Sequence, residues 1–131
     1  DGGKFVDVAA QSGVEDSASG MAVTWGDYNR DGNMDVYVSN MFSAAGNRIT
    51  YQDQFKPNAS PEVRKRLQRF ARGSTLMKAS GNGSFDDVSE AAGVAIARWA
   101  WGTSFADLNN DGWQDILVAN GNITGEDPGD L

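Results

Sequence analysis

The sequence contains no cysteine and no histidine. Without thiols there is no disulfide framework, no thiolate nucleophile and no metal held by sulfur. Without imidazole, the commonest nitrogen ligand for zinc, copper or iron is missing, and so is the most versatile proton shuttle near neutral pH. Proline is scarce, at three residues, while glycine is abundant, at sixteen, a balance that suits many tight turns. No apolar run approaches the roughly 20 residues of a membrane-spanning helix, and no basic-then-apolar leader opens the chain. Neither membrane insertion nor a readable signal peptide is expected. Eleven basic residues face eighteen acids, and the net charge of −7 has the wrong sign for nucleic-acid binding and the right sign for cation binding.

What the sequence does contain is a repeat. Shifting the chain against itself by 80 residues, without gaps, places Phe5, Asp7, Val8, Gly13 and Val14 on Phe85, Asp87, Val88, Gly93 and Val94. The same shift places Asp27, Asn29, Asp31, Gly32, Asp35, Val38 and Asn40 on Asp107, Asn109, Asp111, Gly112, Asp115, Val118 and Asn120. Those 12 identities fall within the 36 aligned positions of 5–40 and 85–120. One ungapped register with that many matches marks a duplicated structural unit.

The repeated parts read as β structure. Segments 21–25, 35–39, 102–105 and 115–119 are short, rich in β-branched or aromatic residues, and bounded by glycine or aspartate. A further hairpin is predicted from 75–78 and 84–88 around Gly81-Asn82-Gly83, because Asn-Gly favours the positive φ of a tight turn. One unit therefore holds about four strands. Residues 41–73 interrupt the pattern as an insertion. Within it Ser60-Pro61-Glu62 combines an N-cap, a first-turn proline and an acid near the helix dipole's positive end. Val63, Leu67 and Phe70 recur at helical spacing until Gly73, which predicts a short amphipathic helix over 61–72.

The chemistry of the repeat lies in two aspartate-rich loops. They read Asp27-Tyr-Asn29-Arg-Asp31-Gly32-Asn33-Met-Asp35 and Asp107-Leu-Asn109-Asn-Asp111-Gly112-Trp113-Gln-Asp115. Both carry oxygen-bearing side chains at positions 1, 3, 5 and 9, with glycine at 6 for a sharp turn. The main-chain carbonyl at position 7, from Asn33 or Trp113, adds one more oxygen donor. An all-oxygen set suits calcium, whereas magnesium prefers a rigid, water-rich octahedron. The start resembles an EF-hand loop, but position 12 is Val38 or Val118 where that motif has a bidentate glutamate, and a strand follows in place of a helix. The plainer alternative is that Asp, Asn and Gly are simply turn formers. Recurrence of both loops in the same phase, with three carboxylates crowded into each, argues for two calcium sites. Two ions would bring the formal charge from −7 to −3.

With these motifs the chain resembles the FG-GAP/VCBS repeat family, through Phe5-Val-Asp-Val-(x5)-Gly13-Val14, Trp25-Gly-Asp27 through Asp35, and their counterparts Phe85-Asp-Asp-Val and Phe105-Ala-Asp107 through Asp115. Asn47-Arg48 and 71–76 also resemble a bacterial branch whose repeats accompany an ASPIC/UnbV-type domain. The resemblance implies an all-β fold of four-stranded antiparallel propeller blades, as in the head of integrin α subunits, carrying calcium on the ten loop residues named above. It implies a secreted, cell-surface or periplasmic protein that binds protein or glycan partners. On that scheme residues 1–19 end one blade, 20–92 form a second with its insertion at 41–73, and 93–131 begin a third. Because a propeller needs roughly four to eight blades, the chain is expected to be a partial propeller, completed by more sequence or by other subunits.

Other features have two readings each. Arg64, Lys65, Arg66, Arg69 and Arg72 are either a docking patch for an acidic partner or a solvated face opposite Val63, Leu67 and Phe70. Trp25, Trp99, Trp101 and Trp113 are either a sugar-stacking platform or packing between blades. Asn58-Ala-Ser60, Asn82-Gly-Ser84 and Asn122-Ile-Thr124 match the short glycosylation pattern. A carbohydrate-active hydrolase or lyase would need a carboxylate pair outside the loops, and Glu90, Glu126 and Asp127 are isolated. A non-catalytic binding module is therefore expected, with a structural subunit of a larger assembly as the alternative.

Overall fold

A computed structural model describes residues 2–121. The Asn122-Ile-Thr124 triplet, Glu126 and Asp127 fall outside the described residues. After a single helical turn, α1 (Ala9–Ser12), strands β1 (Gly20–Gly26) and β2 (Asp35–Asn40) form a hairpin. Helices α2 (Ala44–Thr50) and α3 (Pro61–Arg72) follow, then β3 (Thr75–Ala79), β4 (Phe85–Asp87), β5 (Ala100–Ala106) and β6 (Asp115–Asn120). The first four strands make one antiparallel sheet in the order β1-β2-β3-β4, and β5 with β6 makes a second sheet. The mostly β architecture and the four strands of one unit agree with the sequence reading. The helix predicted over 61–72 is α3, capped by Ser60, whose hydroxyl accepts the Val63 N–H at 3.3 Å. Helix α2 carries no comparable periodic pattern; its visible signal is the Ser43 cap, which accepts from Gly46 N at 3.0 Å.

The 80-residue repeat holds at the level of single residue pairs across the hairpins. Thr24 faces Tyr37 and Trp25 faces Val36, while Ser104 faces Leu117 and Phe105 faces Ile116. Even the irregularity is copied, between Gly20 and Ala22 in one hairpin and between Ala100 and Gly102 in the other. A bulge bends and twists a strand, so the two hairpins curve alike. The Gly-Val elbow is duplicated too: Val14 N donates to Ala9 O and Val94 N to Ser89 O, both at 3.0 Å. Phe5, the counterpart of Phe85 in β4, lies outside any strand and is fully exposed.

The core sits around β2 and β3, where Val36, Tyr37, Leu76, Met77 and Ala79 are buried with Ala71 of α3 and with Ala95 and Ala100. The Tyr37 hydroxyl spans to the segment after β4 and donates to Val94 O at 3.0 Å. Strand β5 packs against β1 and β2. Gly26 is the point of closest approach: a Cβ there would lie 2.5 Å from the Phe105 ring and 2.6 Å from Gln114 Oε1.

Helix α3 departs in part from the expectation for an amphipathic surface helix, although Leu67 is half-buried and Ala71 buried as that expectation has it. Its apolar residues Val63 and Phe70 are exposed, Phe70 by 52%, while Arg69 and Arg72 turn inward. Arg69 Nη2 lies 2.5 Å from Asp16 Oδ1 and also bonds the Thr75 hydroxyl, while Arg72 Nη2 lies 2.5 Å from Asp87 Oδ2. Asp16 further accepts from Asn40 Nδ2 at 2.8 Å. The basic residues are thus neither one docking patch nor one solvated face. Two of them anchor the helix to the sheet, Arg64 donates to Gln52 O at 3.0 Å, and Arg66 pairs with Glu62 one turn away. Once turned inward, each guanidinium must keep its carboxylate, because removing one partner of a part-buried pair leaves an uncompensated charge.

Candidate metal-binding loops

Each aspartate-rich loop is the turn of a hairpin, the first joining β1 to β2 and the second joining β5 to β6. Both fold around their own carboxylates. At position 1, Asp27 Oδ1 accepts the Asp31 N–H at 3.0 Å and Oδ2 accepts the Gly32 N–H at 2.9 Å. Asp107 repeats this with Asp111 N at 3.1 Å and Gly112 N at 2.9 Å. Asn29 Nδ2 donates to Asp31 Oδ2 at 2.8 Å, and Asn109 Nδ2 to Asp111 Oδ2 at 2.9 Å. At position 7 the N–H groups of Asn33 and Trp113 bond Asp31 Oδ1 and Asp111 Oδ1 at 2.9 and 2.8 Å. At position 9, Asp35 Oδ2 accepts from Tyr28 N at 3.2 Å and Asp115 Oδ2 from Leu108 N at 3.1 Å.

Two positions in each loop take the left-handed backbone region. Gly32 and Gly112 at position 6 have φ of 86° and 83°, which glycine adopts without steric cost. Arg30 and Asn110 at position 4 have φ of 57° and 59°, which costs a side-chain-bearing residue about 1 kcal/mol. The same strain at the same position of both loops is held by the same amide-to-carboxylate bonds. This position was not singled out in the sequence, because arginine and asparagine there carry no shared signal.

The loops differ in their surroundings. Asp35 is fully buried, and its Oδ1 also accepts the Ala79 N–H at 2.8 Å, so this one carboxylate joins the loop to β3. Burial pushes the Asp35 carboxyl above its ordinary pKa; the Ala79 and Tyr28 amides pull it back, and the Asp31 and Asp27 charges push it further up. Asp31 is held below the ordinary value, first by Asn29, then by the amide and side chain of Asn33. Lys78 Nζ on β3 lies 3.6 Å from Asp31 Oδ2. Between the loops, the Arg30 guanidinium stacks over the Trp113 indole at 5.1 Å. Lys78, the Ala79 amide and the Arg30–Trp113 contact all escaped the sequence reading, since each depends on chain segments distant in sequence coming together.

The remaining candidates separate. Trp25 meets Phe85 edge to face at 6.2 Å, within its own sheet. Trp99 forms an isolated backbone bridge with Met41, and the ring contacts among the described residues join Trp25 to Phe85 and Trp113 to Arg30 rather than one tryptophan to another. Asn82 Oδ1 accepts the N–H and hydroxyl of Ser84 at 3.0 and 2.6 Å, which makes that triplet a turn device. The positive φ of this turn falls on Gly81 and Gly83 rather than on Asn82.

Among the described residues, no three acidic side chains already converge as metal ligands. The donor chemistry nevertheless fits a hard cation. Each loop offers carboxylates, an amide oxygen and main-chain oxygens, and a carboxylate oxygen that accepts one N–H keeps further acceptor capacity. The mutual repulsion of Asp27, Asp31 and Asp35 is what a cation relieves, and at the first loop the Lys78 ammonium already stands beside Asp31. Asp27, Asn29, Asp31, Asp35 and the carbonyl of Asn33 would hold calcium in the first loop. Asp107, Asn109, Asp111, Asp115 and the carbonyl of Trp113 would do so in the second.

The duplicated hairpins, bulges and loops define a β-rich repeat protein. Within it, residues 69–118 match the model of the family described as FG-GAP-like repeat. The matched stretch runs from the end of α3 through β3, β4, β5 and the second loop into β6. The first loop lies outside the matched stretch, repeats the second one's bonds at positions 1, 3, 5, 7 and 9, and adds those of Asn33 Nδ2 to Asp31 and of Ala79 N to Asp35. No curated protein and no solved structure matches the chain. Among the described residues, no helix is long and apolar enough to cross a membrane.

Proposed function

We propose that this chain is a calcium-binding, non-catalytic FG-GAP/VCBS-type repeat module. In this reading the four-stranded sheet is one blade of an integrin-like β-propeller and the second hairpin begins the next, as part of a secreted, cell-surface or periplasmic protein. Calcium pins the loops, and the surface they shape engages a protein or glycan. The observation that carries this reading is the pair of loops with matching hydrogen bonds, equivalent in phase and each rich in carboxylate. In both, acids crowd onto one turn with more oxygen donors than a turn needs, and calcium supplies the charge that lets them sit together.

Calcium titration against thermal unfolding of the full chain tests it. With free ion at ten times the dissociation constant, each occupied site adds roughly 1.4 kcal/mol, expected as a rise in Tm that chelator reverses. Affinities in the weak range of about 10⁻⁴ to 10⁻³ M are expected for loops with this ligand count. A Tm indifferent to both calcium and chelator would sink the reading.

A further inference from the structure

The first loop carries a cation of its own. Lys78 leaves β3 so that its ammonium lies 3.6 Å from Asp31 Oδ2, with the lysine side chain 40% exposed. Asp31 is the fifth-position donor of that loop, and its Oδ1 is already engaged by the N–H and Nδ2 of Asn33. The oxygen facing Lys78 is therefore the one a metal ion must share with Asn29 Nδ2. The Asp35 carboxylate is tied to the same strand through the Ala79 amide, the residue after Lys78. Strand β3 thus presents two adjacent residues to the loop, one holding its ninth-position ligand and the other neutralising its fifth. Among the described residues, no lysine or arginine forms an ion pair with Asp107, Asp111 or Asp115. The same ligand set is therefore present twice on one scaffold, with a lysine ion-paired to the fifth-position carboxylate in the first loop and, in the second, the Arg30 guanidinium stacked over Trp113 near Gly112.

Resting on the reading of the loops as calcium sites, we infer that Lys78 sets the calcium affinity of the first loop. Its ammonium is an intramolecular competitor. A divalent ion entering the loop must displace it from Asp31 or bind beside a like charge, and both weaken binding. With calcium scarce, the same contact keeps Asp31 in place and the loop folded. The effect is electrostatic and partly exposed, so salt weakens it.

Calorimetric titration of the full chain with calcium alone tests this, with the second loop silenced by Asp107→Asn and Asp111→Asn so that the first is read by itself. In that background Lys78→Met is expected to raise calcium affinity roughly fivefold at low ionic strength, and Lys78→Arg to leave it nearly unchanged. The gain should shrink in high salt. In calcium-free buffer Lys78→Met should lower Tm slightly. With the first loop silenced instead, by Asp27→Asn and Asp31→Asn, Lys78→Met should leave second-loop affinity unaltered. Unchanged or weakened first-loop binding in folded Lys78→Met overturns the role of Lys78 and leaves the calcium reading standing. The same holds if the first loop binds no calcium with either residue while the second does. Absence of binding in every version, wild type included, overturns both.

Discussion

The two hairpins share one backbone plan and little of their burial. Residues 37 and 117 are equivalent, in the middle of β2 and β6, yet Tyr37 is 1% exposed and Leu117 is 48% exposed. Strand β2 is paired on both edges, by β1 and β3, with the α3 insertion tied across the end of the sheet through Arg69 and Asp16. In the described sheet β6 is paired with β5 alone. Register, bulge, loop hydrogen bonds and left-handed positions are nonetheless reproduced. Loop and hairpin geometry are thus written into some thirty residues of local sequence, while stability is distributed by whatever packs around them.

The equivalent truncations at positions 37 and 117 should separate the two most. Tyr37→Ala empties a buried site and strips Val94 O of its donor, and is expected to cost about 4 kcal/mol. Leu117→Ala should cost about 1 kcal/mol or less, since half the side chain already meets water. Denaturant unfolding of both variants measures the gap, and equal losses would show that the second hairpin is no less embedded than the first.

Next in size are the ion pairs of the first side, Arg69 with Asp16 and Arg72 with Asp87. Asp16→Ala leaves Arg69, which is depressed by burial and supported by Asp16, without its nearest carboxylate, an expected loss of about 3 kcal/mol. The acid limb reports the same network through Asp87. Burial opposes its ionisation, but bonds from Ser89 and Arg72 prevail and hold its carboxyl below the ordinary value. A folded pKa below the unfolded one means that the unfolded chain binds the proton more readily. The contribution is therefore present above the unfolded value of about 4 and lost as pH falls through the folded one. Asp87→Asn should flatten that acid decline and lower stability at neutral pH; an acid limb identical to wild type would remove Asp87 from the network.

The smallest effect concerns the link between the halves. A double-mutant cycle on Arg30→Ala and Trp113→Ala should return a coupling of about 0.5–1 kcal/mol for the cation–π contact. Zero coupling would mean that the loops sense one another only through β1 and β5.

Much of this was legible in the residues. The six strands, the hairpin at 81–83 and the α3 helix follow from alternation, the two glycines flanking Asn82 and the Ser60-Pro61-Glu62 start, all of which act within a few residues. Both Asp-rich turns were legible because Asp27 and Asp107 reach only the amides four and five residues ahead. Helix α2 was not, because its seven residues make only about two turns, short of the roughly 11–18 residues over which helical periodicity can be read, and it rests against α3. The orientation of α3 was only partly legible, since Val63 and Phe70 are exposed while Leu67 is half-buried and Ala71 buried, and hydrophobic spacing does not say that Arg69 and Arg72 find ion-pair partners on the sheet side.

By itself the sequence determined the repeat, the register of each hairpin and the fold of each loop, since those depend on alternating side chains, glycine at positive φ and carboxylates beside their own amides. Tertiary structure alone decided which copy is sealed and which is open. It set Lys78 and the Ala79 amide against the first loop, laid Arg30 over Trp113, and turned two arginines inward to Asp16 and Asp87. Those contacts join residues far apart in the chain, and no local pattern encodes a partner that only folding brings near.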